Sequence, residues 1–595
     1  MRRKPPYSPQ IPPRPPNPSG PLGGVQTTPT PPAEGYKSGL HHAPESLSQT
    51  SRSQLVAVHH RYTMPSSASS VAKGERLHTL MNTLVALPTF VAMGYSLSYL
   101  GGVLSFSPFY HLFPQLDTST TTGSLKSHNT LNQGAVNASL NLGALAGCLS
   151  CIYLGNRLGR RKTTFLGSAI VVLGTVLMCA AFSLPQLCVG RVLIGIGLGM
   201  MSSTVPVWQS ESSKTHKRGV HVIIDGVYIA LGIAVCAWTT YGFWRADSQS
   251  GWKWRVPGII PGALALVVAC SCLFFPESPR WLVLKGRVEN ARLVFATVLD
   301  RPPTSEEVEE QLVLSAQIID VAGESASLSM LFKYGREKML YRLLLAVSAQ
   351  FYSQMNGAGL ITYYSNQLFA TIGLDTNTSK ILAASSLTFK WLCTFIAFYT
   401  VEMAGRRLLF MISGAGMAVC MASLAICGAL TSPDRLGPAY AAIAFVFLFV
   451  VFLPIGYLGI NFLYCQEVIS TRYRAPASGI STATHWTSAF VVAFATPFGF
   501  NSLGWKYYLI WASLSASIVP VVWLVYPETT GLSMEEVDKV FVETASPLTA
   551  RRDAVRAGAG AGVDASKRRA MTAPMSSGPG DDNEEKGAVT EVERV

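Results

Sequence analysis

Twelve apolar stretches, each long enough to cross a lipid bilayer as a helix, occupy most of this chain. Such a helix needs about 20 mostly apolar residues at a rise of 1.5 Å per residue. The composition agrees, because 49% of the 595 residues are hydrophobic and only 14% are charged, whereas soluble chains carry about 25% charged residues. We therefore predict an all-α, multi-pass membrane protein. The stretches begin near Thr83, Asn132, Thr164, Gln186, Val222, Trp254, Tyr341, Ser379, Leu408, Ala439, Pro476 and Trp505.

The polar segments between and around these stretches divide the chain into five parts. Residues 1–80 contain 14 of the 35 prolines, and residues 545–595 contain no aromatic residue, so neither end can bury enough apolar surface to fold. We predict a disordered cytoplasmic N-terminal tail (1–80), a six-helix bundle (81–275), a cytoplasmic helical linker (276–340), a second six-helix bundle (341–527) and a mostly disordered cytoplasmic C-terminal tail (528–595).

The net charge of +13 does not indicate nucleic-acid binding. The basic residues lie in the tails and between apolar stretches, where the positive-inside rule places them on the cytoplasmic side. We expect the lipid bilayer and a small polar solute as partners, no nucleic acid, and a monomer. We also expect both termini in the cytoplasm. Twelve spans in two groups of six are typical of a transporter.

An internal repeat supports the division into two bundles. "GNRLGRRKT" after the second stretch matches "VEMAGRRLL" after the eighth, and "PESPRW" after the sixth matches "PETTGL" after the twelfth. Glu211 and Glu467 are 256 residues apart, and Arg160 and Arg406 are 246 residues apart. Parallel repeats of this kind fit two halves that rock around a site near the middle of the membrane.

The repeated charges predict a salt-bridge network that gates the cytoplasmic mouth, because arginine and carboxylate pair strongly when partly desolvated. The alternative is that the arginines only anchor the topology. The residues of the predicted network are Arg160, Arg161, Glu211, Arg218, Glu277, Arg280, Glu402, Arg406, Arg407, Glu467, Arg474 and Glu528.

These motifs together resemble the sugar-porter branch of the major facilitator superfamily, and its fungal members most. The resemblance covers residues 80–543 and rests on GRRK at Gly159–Lys162, "PVWQSESSKTHKRG" at Pro206–Gly219, "PESPRWL" at Pro276–Leu282, "VEMAGRR" at Val401–Arg407 and "PETTGLSMEEVD" at Pro527–Asp538. It implies sugar transport by alternating access, with a substrate site lined mainly by the second half. No enzyme motif, cofactor site or metal site is indicated.

The substrate site implied by the resemblance differs from the family pattern at several positions. Ser353 stands where Gln is usual and Gly359 where Asn is usual, while Asn461 replaces a Pro and His485 replaces an Asn. These departures indicate a remodelled pocket and put glucose itself in doubt. The predicted substrate-binding residues are Ser353, Gln354, Tyr363, Tyr364, Lys390, Asn461, His485 and Trp486.

The first stretch lacks the residue that proton-coupled relatives use. Ser96 stands at the place where an Asp is typical, and no Asp, Glu, Lys, Arg or His lies between Thr83 and Phe106. The simplest interpretation is facilitated diffusion. Asp225 and His485 remain candidates for proton coupling by another route, and Lys390 is expected either to pair with Asp225 or to contact an acidic substrate.

Two other functions stay open at this point. One is a sugar sensor with the same fold and no transport. The other is a porter of a polyol, of an organic acid such as quinate, or of an exported metabolite. Of the two glycosylation sequons, Asn377-Thr-Ser379 has the better loop context and Asn137-Ala-Ser139 is close to the bilayer.

Overall fold

The structure is a computed structural model that describes residues 72–212, 218–246, 250–323, 331–335, 337–371, 375–431, 437–470, 473–530, 537–538 and 541–542. The predicted N-terminal tail therefore lies outside the described residues up to position 71, and the C-terminal tail beyond position 542. The side chains of Arg218, Glu402 and Arg474 also lie outside the described part.

The N-terminal half consists of six long helices and one short one. The first helix begins at Gly74, before the predicted start at Thr83, because an amphipathic segment that buries Leu77 and Met81 extends it. The helices are α1 (Gly74–Val103), α2 (Ser107–Leu112), α3 (Gly123–Leu158), α4 (Arg160–Cys179), α5 (Leu184–Glu211), α6 (Arg218–Arg245) and α7 (Trp252–Cys272).

Three helices follow in the polar stretch between the two halves, and two of them have marked ends. Ser278 caps α8 by accepting a hydrogen bond from the main-chain N–H of Trp281. A left-handed Asp300 ends α9. The helices are α8 (Pro279–Leu284), α9 (Val288–Leu299) and α10 (Glu306–Gly323).

The C-terminal half contains eight helices, because two of its spans are broken. The breaks separate α11 from α12 at residues 355–357 and α15 from α16 at residues 458–459. The helices are α11 (Met339–Gln354), α12 (Ala358–Thr371), α13 (Thr376–Ala404), α14 (Arg406–Leu430), α15 (Gly437–Tyr457), α16 (Ile460–Val468), α17 (Arg474–Leu503) and α18 (Tyr507–Val525).

Length and hydropathy alone identify ten candidate membrane spans among the described residues. The last of them, Pro476–Val525, contains both α17 and α18, which one 3₁₀ turn separates. The seventh predicted stretch is missing from the ten because α11 and α12 have 16 and 14 residues, below the 18 that the criterion requires. Counted by helices, the described residues thus contain the twelve predicted stretches, and the all-helical membrane fold is confirmed.

Glycines bring α3 and α5 into direct backbone contact. A Cβ at Gly143 would lie 2.1 Å from the carbonyl oxygen of Val192, and one at Gly199 would lie 2.1 Å from that of Ala144. Small residues permit this approach in lipid, where close packing and interhelical hydrogen bonds hold helices together. Gly199 belongs to the segment "GIGLG" (Gly195–Gly199), and this segment therefore serves helix packing.

Two hydrophobic clusters, one per half, form the core. The first contains buried residues from Leu77 to Leu312, and the second contains buried residues from Leu331 to Phe541. Trp486 of α17 packs into the first cluster although it belongs to the second half. A hydrogen bond also joins the halves, since the side-chain amide of Asn141 in α3 donates to the main-chain carbonyl of Ala489 at 3.2 Å.

Candidate functional site

A charge cluster joins the ends of α4 and α5 to the segment before α8. Arg160 forms a two-point ion pair with Glu211, at 2.8 Å from Nε to Oε2 and 2.9 Å from Nη2 to Oε1. Ser278 donates its hydroxyl hydrogen to Glu211 at 2.6 Å. Glu277 accepts the main-chain N–H of Arg160 at 2.8 Å, so its carboxylate caps the start of α4. We call Arg160, Glu211, Glu277 and Ser278 the first charge cluster.

The second half repeats this arrangement residue for residue. Arg406 pairs with Glu467 at 3.0 Å, and Thr529 donates its hydroxyl hydrogen to Glu467 at 2.6 Å. Glu528 accepts the main-chain N–H of Arg406 at 3.0 Å and thus caps the start of α14. We call Arg406, Glu467, Glu528 and Thr529 the second charge cluster.

A glycine in an unusual backbone conformation makes room for each capping carboxylate. Gly159 has φ 86° and ψ 178°, and Gly405 has φ 81° and ψ 153°. This region of φ/ψ space is populated almost only by glycine. A Cβ at Gly159 would lie 2.6 Å from Glu277, and one at Gly405 would lie 2.8 Å from Glu528. The repeated Gly-Arg-Arg motif is therefore a carboxylate-capped helix start, which helix dipoles favour.

Each of the two ion pairs lies within its own half. Among the described side chains, no ion pair joins one half to the other. Arg161 and Arg407 extend the two caps, since their main-chain N–H groups donate to Glu277 and Glu528. Arg280 forms no ion pair with a described carboxylate. Arg218, Glu402 and Arg474 lie outside the described side chains. Gating of the cytoplasmic mouth by these residues stays a prediction.

A second polar group, buried between α11, α16 and α17, contains four of the eight predicted substrate-binding residues. His485 lies 2.9 Å from Ser353 Oγ and 3.1 Å from Gln350 Oε1 through Nδ1, and 3.0 Å from Gln354 Nε2 through its own Nε2. Asn461 donates to Gln350 Oε1 at 3.0 Å. We call Gln350, Ser353, Gln354, Asn461 and His485 the central polar cluster.

The two helix breaks place this cluster. Gln350, Ser353 and Gln354 form the last turn of α11, and Asn461 lies in the first turn of α16. Gly357 has φ +89° at the first break, where a Cβ would lie 2.4 Å from Met421. Discontinuous helices of this kind build binding sites in transporters, because the broken ends expose polar groups inside the bundle.

Aromatic residues surround the cluster and the seam beside it. The rings of Phe462 and Trp486 each lie 5.5 Å from the ring of His485. Tyr363 and Tyr364 pack with Ala138 of the first half, and Tyr364 donates its hydroxyl hydrogen to the carbonyl of Ala493 at 2.7 Å. The two tyrosines thus lie at the seam between α3, α12 and α17.

Gln350 is a member of the cluster that the sequence motifs missed. It lies one helical turn before Ser353, outside the motif used for prediction, and is 1% exposed. Three members of the cluster contact it. A polar residue one turn before a known site position on the same helix was the available signal.

The structure does not bring Lys390 and Asp225 together, so the expected ion pair is wrong. Lys390 is 2% exposed and donates to Thr362 at 3.1 Å. Asp225 is 5% exposed, and neither of its oxygens has a hydrogen-bond partner among the described residues. Hydropathy located both residues inside spans, but it does not tell which face of a helix a residue occupies.

Polar contacts cross the seam between α6 and α13. Trp238 donates to Thr388 at 2.8 Å, and Tyr241 donates to Asn377 at 3.1 Å. Since α13 begins at Thr376, Asn377 lies in the first turn of α13 and not in the loop expected from its sequon. Asn137 lies within α3 and is 3% exposed.

Comparison with known proteins defines the family. Residues 81–541 match the profile of the family described as "Sugar (and other) transporter". The chain belongs to this family. It is therefore an integral, multi-pass membrane transport protein of the sugar transporter family and not an enzyme.

Fungal proteins are among its most similar relatives. The chain is 34% identical to "Sugar transporter STL1" of Saccharomyces cerevisiae over 467 residues, which cover 78% of this chain and 81% of that protein. It is 28% identical to "High-affinity fructose transporter ght6" of Schizosaccharomyces pombe, covering 78% and 88% of the two chains. The resemblance to the sugar porters, and to fungal ones in particular, is confirmed.

Solved structures confirm the fold. The structure of the proton:xylose symporter XylE, bound to 6-bromo-6-deoxy-D-glucose, superposes with a TM-score of 0.67. The match covers 79% of this chain and all of that chain, at 20% sequence identity. The chain thus has the major facilitator fold.

Proposed function

We propose that this protein moves a neutral, monosaccharide-like solute across the plasma membrane by alternating access of its two halves, residues 81–275 and 341–527. The central polar cluster carries the proposal. It groups three amides, a hydroxyl and an imidazole next to Trp486, at two helix breaks. Sugar hydroxyls both donate and accept hydrogen bonds, and a few convergent polar groups beside an aromatic ring suit them.

Facilitated diffusion is the mode that the first span supports. Ser96 donates its hydroxyl hydrogen to the carbonyl of Ala92 at 2.8 Å, so its side chain serves its own helix. No Asp, Glu, Lys, Arg or His follows it within α1. We further propose a monomer with both termini and the linker 276–340 in the cytoplasm.

Uptake in cells that lack their own sugar carriers tests the proposal. Labelled hexoses, pentoses, polyols and quinate are supplied with and without a protonophore, and surface expression is measured in parallel. Saturable uptake of a neutral sugar that the protonophore leaves unchanged is the expected result. Uptake of no solute by a surface-expressed protein would overturn transport and favour a sensor.

Asp225 favours a second candidate mode, proton-coupled transport. Its carboxyl is buried without a hydrogen-bond partner among the described residues, and an ionisable group inside a span is costly unless it has a function. Loss of uptake with the protonophore and in Asp225→Asn would favour this mode. Ser210→Ala, a change in the neighbouring α5, serves as a control.

A further inference from the structure

The hydrogen bonds of Ser353 determine the tautomer of His485. Ser353 donates its one hydroxyl hydrogen to the main-chain carbonyl of Gln350 at 2.7 Å. Its oxygen can therefore only accept from the ring nitrogen Nδ1 at 2.9 Å. Gln350 Oε1, which is also only an acceptor, lies 3.1 Å from the same nitrogen. The ring hydrogen is thus on Nδ1.

The other ring nitrogen is then an acceptor. In a neutral imidazole with its hydrogen on Nδ1, Nε2 carries a lone pair. Gln354 Nε2 lies 3.0 Å from it and donates into that lone pair. Both nitrogens of His485 are therefore used by protein side chains, and the ring has no polar atom left for a substrate.

This arrangement leaves the acceptor oxygens of the two nearby amides without a described partner. Because Gln354 turns its amide nitrogen to the ring, its Oε1 points elsewhere and forms no hydrogen bond with a described residue. Asn461 uses its nitrogen on Gln350 Oε1, and its own Oδ1 is buried with no partner among the described residues. Buried polar atoms are nearly always hydrogen-bonded, so this oxygen indicates a ligand that donates a hydrogen.

We propose that His485 is a positioning residue, which holds the amides of Gln350 and Gln354 so that Gln354 Oε1 and Asn461 Oδ1 face the substrate as acceptors. The proposal rests on the proposed function and specifies its substrate class. Solutes with at least two hydroxyl groups donate to both oxygens. A carboxylate has no hydrogen to donate to these two oxygens, so we expect an organic acid to bind more weakly than a neutral polyol.

The tautomer can be measured without any transport assay. In the full chain labelled with ¹⁵N-histidine, the signal lost in His485→Asn identifies the ring of His485. We expect a neutral ring with its hydrogen on Nδ1. A neutral ring with its hydrogen on Nε2, or a doubly protonated ring, would overturn the proposal, because either would reverse the orientation of Gln354.

A double-mutant cycle separates positioning from direct contact. We expect His485→Ala and Gln354→Ala each to raise the KM for uptake by about tenfold. If His485 acts through Gln354, the double variant has a KM no more than about tenfold above that of the wild-type protein, since coupled sites are not additive. An additive increase of about a hundredfold would mean that His485 acts independently, and the proposal would fail.

A matched control lies on the same helix. Thr487 is exposed and donates its hydroxyl hydrogen to the carbonyl of Ala483 at 2.8 Å. Thr487→Ala should leave the KM and the surface expression unchanged. A tenfold rise in KM in this control as well would show that any change in α17 disturbs uptake, which would contradict a specific role of His485.

Competition with analogues tests the polarity of the site. Deoxy, deoxyfluoro and uronic acid forms of the transported sugar compete with the labelled sugar. At two or more ring positions we expect the fluoro form to compete as poorly as the deoxy form, because fluorine donates no hydrogen. Equal competition by the uronic acid and the sugar would overturn the proposal. If no solute is taken up at all, the proposed function fails, whereas the ¹⁵N measurement still decides the role of His485.

Discussion

The two charge clusters and the central polar cluster show opposite outcomes of the same internal repeat. In the charge clusters each part has a counterpart, from the capping carboxylates Glu277 and Glu528 to the hydroxyls that donate to Glu211 and Glu467, both at 2.6 Å. The residues of the central polar cluster come from α11, α16 and α17, all in the C-terminal half.

Two serines, one in the first span of each half, illustrate this contrast. Ser96 of α1 bonds to its own helix, whereas Ser353 of α11 bonds to His485 of another helix. A helix cap and an ion pair solve a problem that both halves share, because every helix start leaves main-chain N–H groups unsatisfied. Substrate recognition needs one asymmetric set of groups, so one half was free to differ.

The largest effect is expected from the glycines beside the caps. Gly159→Ala and Gly405→Ala force a Cβ into a glycine-only conformation, which costs about 1–3 kcal/mol, and against a carboxylate oxygen at 2.6 Å or 2.8 Å. We expect both variants to lose most of the folded protein, as measured by fluorescence-detected size-exclusion chromatography.

Gly155 offers a matched control for these glycines. A Cβ there meets no atom within 4 Å, and Ala stabilises a helix interior relative to Gly. Gly155→Ala should fold as well as the wild-type protein. A strong loss of folded protein in only one of Gly159→Ala and Gly405→Ala would mean that the two charge clusters are not equivalent.

Glu277→Gln and Glu528→Gln come next in size. Each replaces a carboxylate that accepts two main-chain N–H groups at the start of a helix, and hydrogen bonds to charged groups contribute about 1.5–3 kcal/mol each. We expect a similar fall in Tm for the two variants in detergent. A fall in Tm in only one of the two variants would mean that the two capping carboxylates do not stabilise the two halves equally.

Substitutions in the central polar cluster should change the KM for uptake, whereas those in the charge clusters should change the Tm. Gln350→Ala removes the acceptor shared by Asn461 and His485, so we expect the KM for uptake to rise about tenfold with little change in Tm. Ser96→Ala should leave the KM within about twofold. Equal increases in KM would place the substrate between the halves and contradict a site built by one half.

The smallest expected effect is a difference in Tm between variants of Ser278 and Thr529, which hold equivalent places in the two charge clusters. Both donate to a glutamate, but Ser278 also caps α8 by accepting the N–H of Trp281 at 3.2 Å. Loss of an N-cap costs about 1 kcal/mol. Ser278→Ala should therefore lower the Tm more than Thr529→Val, and the reverse order would mean that the cap contributes nothing.

The sequence was sufficient for the fold, and it located the charged residues of the two charge clusters. Hydropathy predicted the twelve stretches, and the repeat matched Arg160 with Arg406 and Glu211 with Glu467, because each motif appears twice in the same order. Only the structure shows which arginine pairs with which glutamate, and that Ser278 and Thr529 donate to the glutamates. Gating by these residues stays a prediction.

The central polar cluster was only partly predictable. Ser353 and His485 looked like two separate departures from the family pattern, and only the structure shows that they contact each other across 132 residues. The pairing of Lys390 with Asp225 was wrong, because hydropathy does not report which face of a helix a residue occupies. The loop expected at Asn377 was wrong because α13 already begins at Thr376, after Asp375 caps it.

Counterflow of a labelled sugar in liposomes tests the central claim most directly. The purified full chain is reconstituted with unlabelled sugar inside and labelled sugar outside, so exchange needs no ion gradient. We predict transient accumulation of label by the wild-type protein and by Ser96→Ala, and none by Asn461→Ala at the same low concentration. Equal accumulation by Asn461→Ala, or none by the wild-type protein, would contradict a sugar site in the C-terminal half.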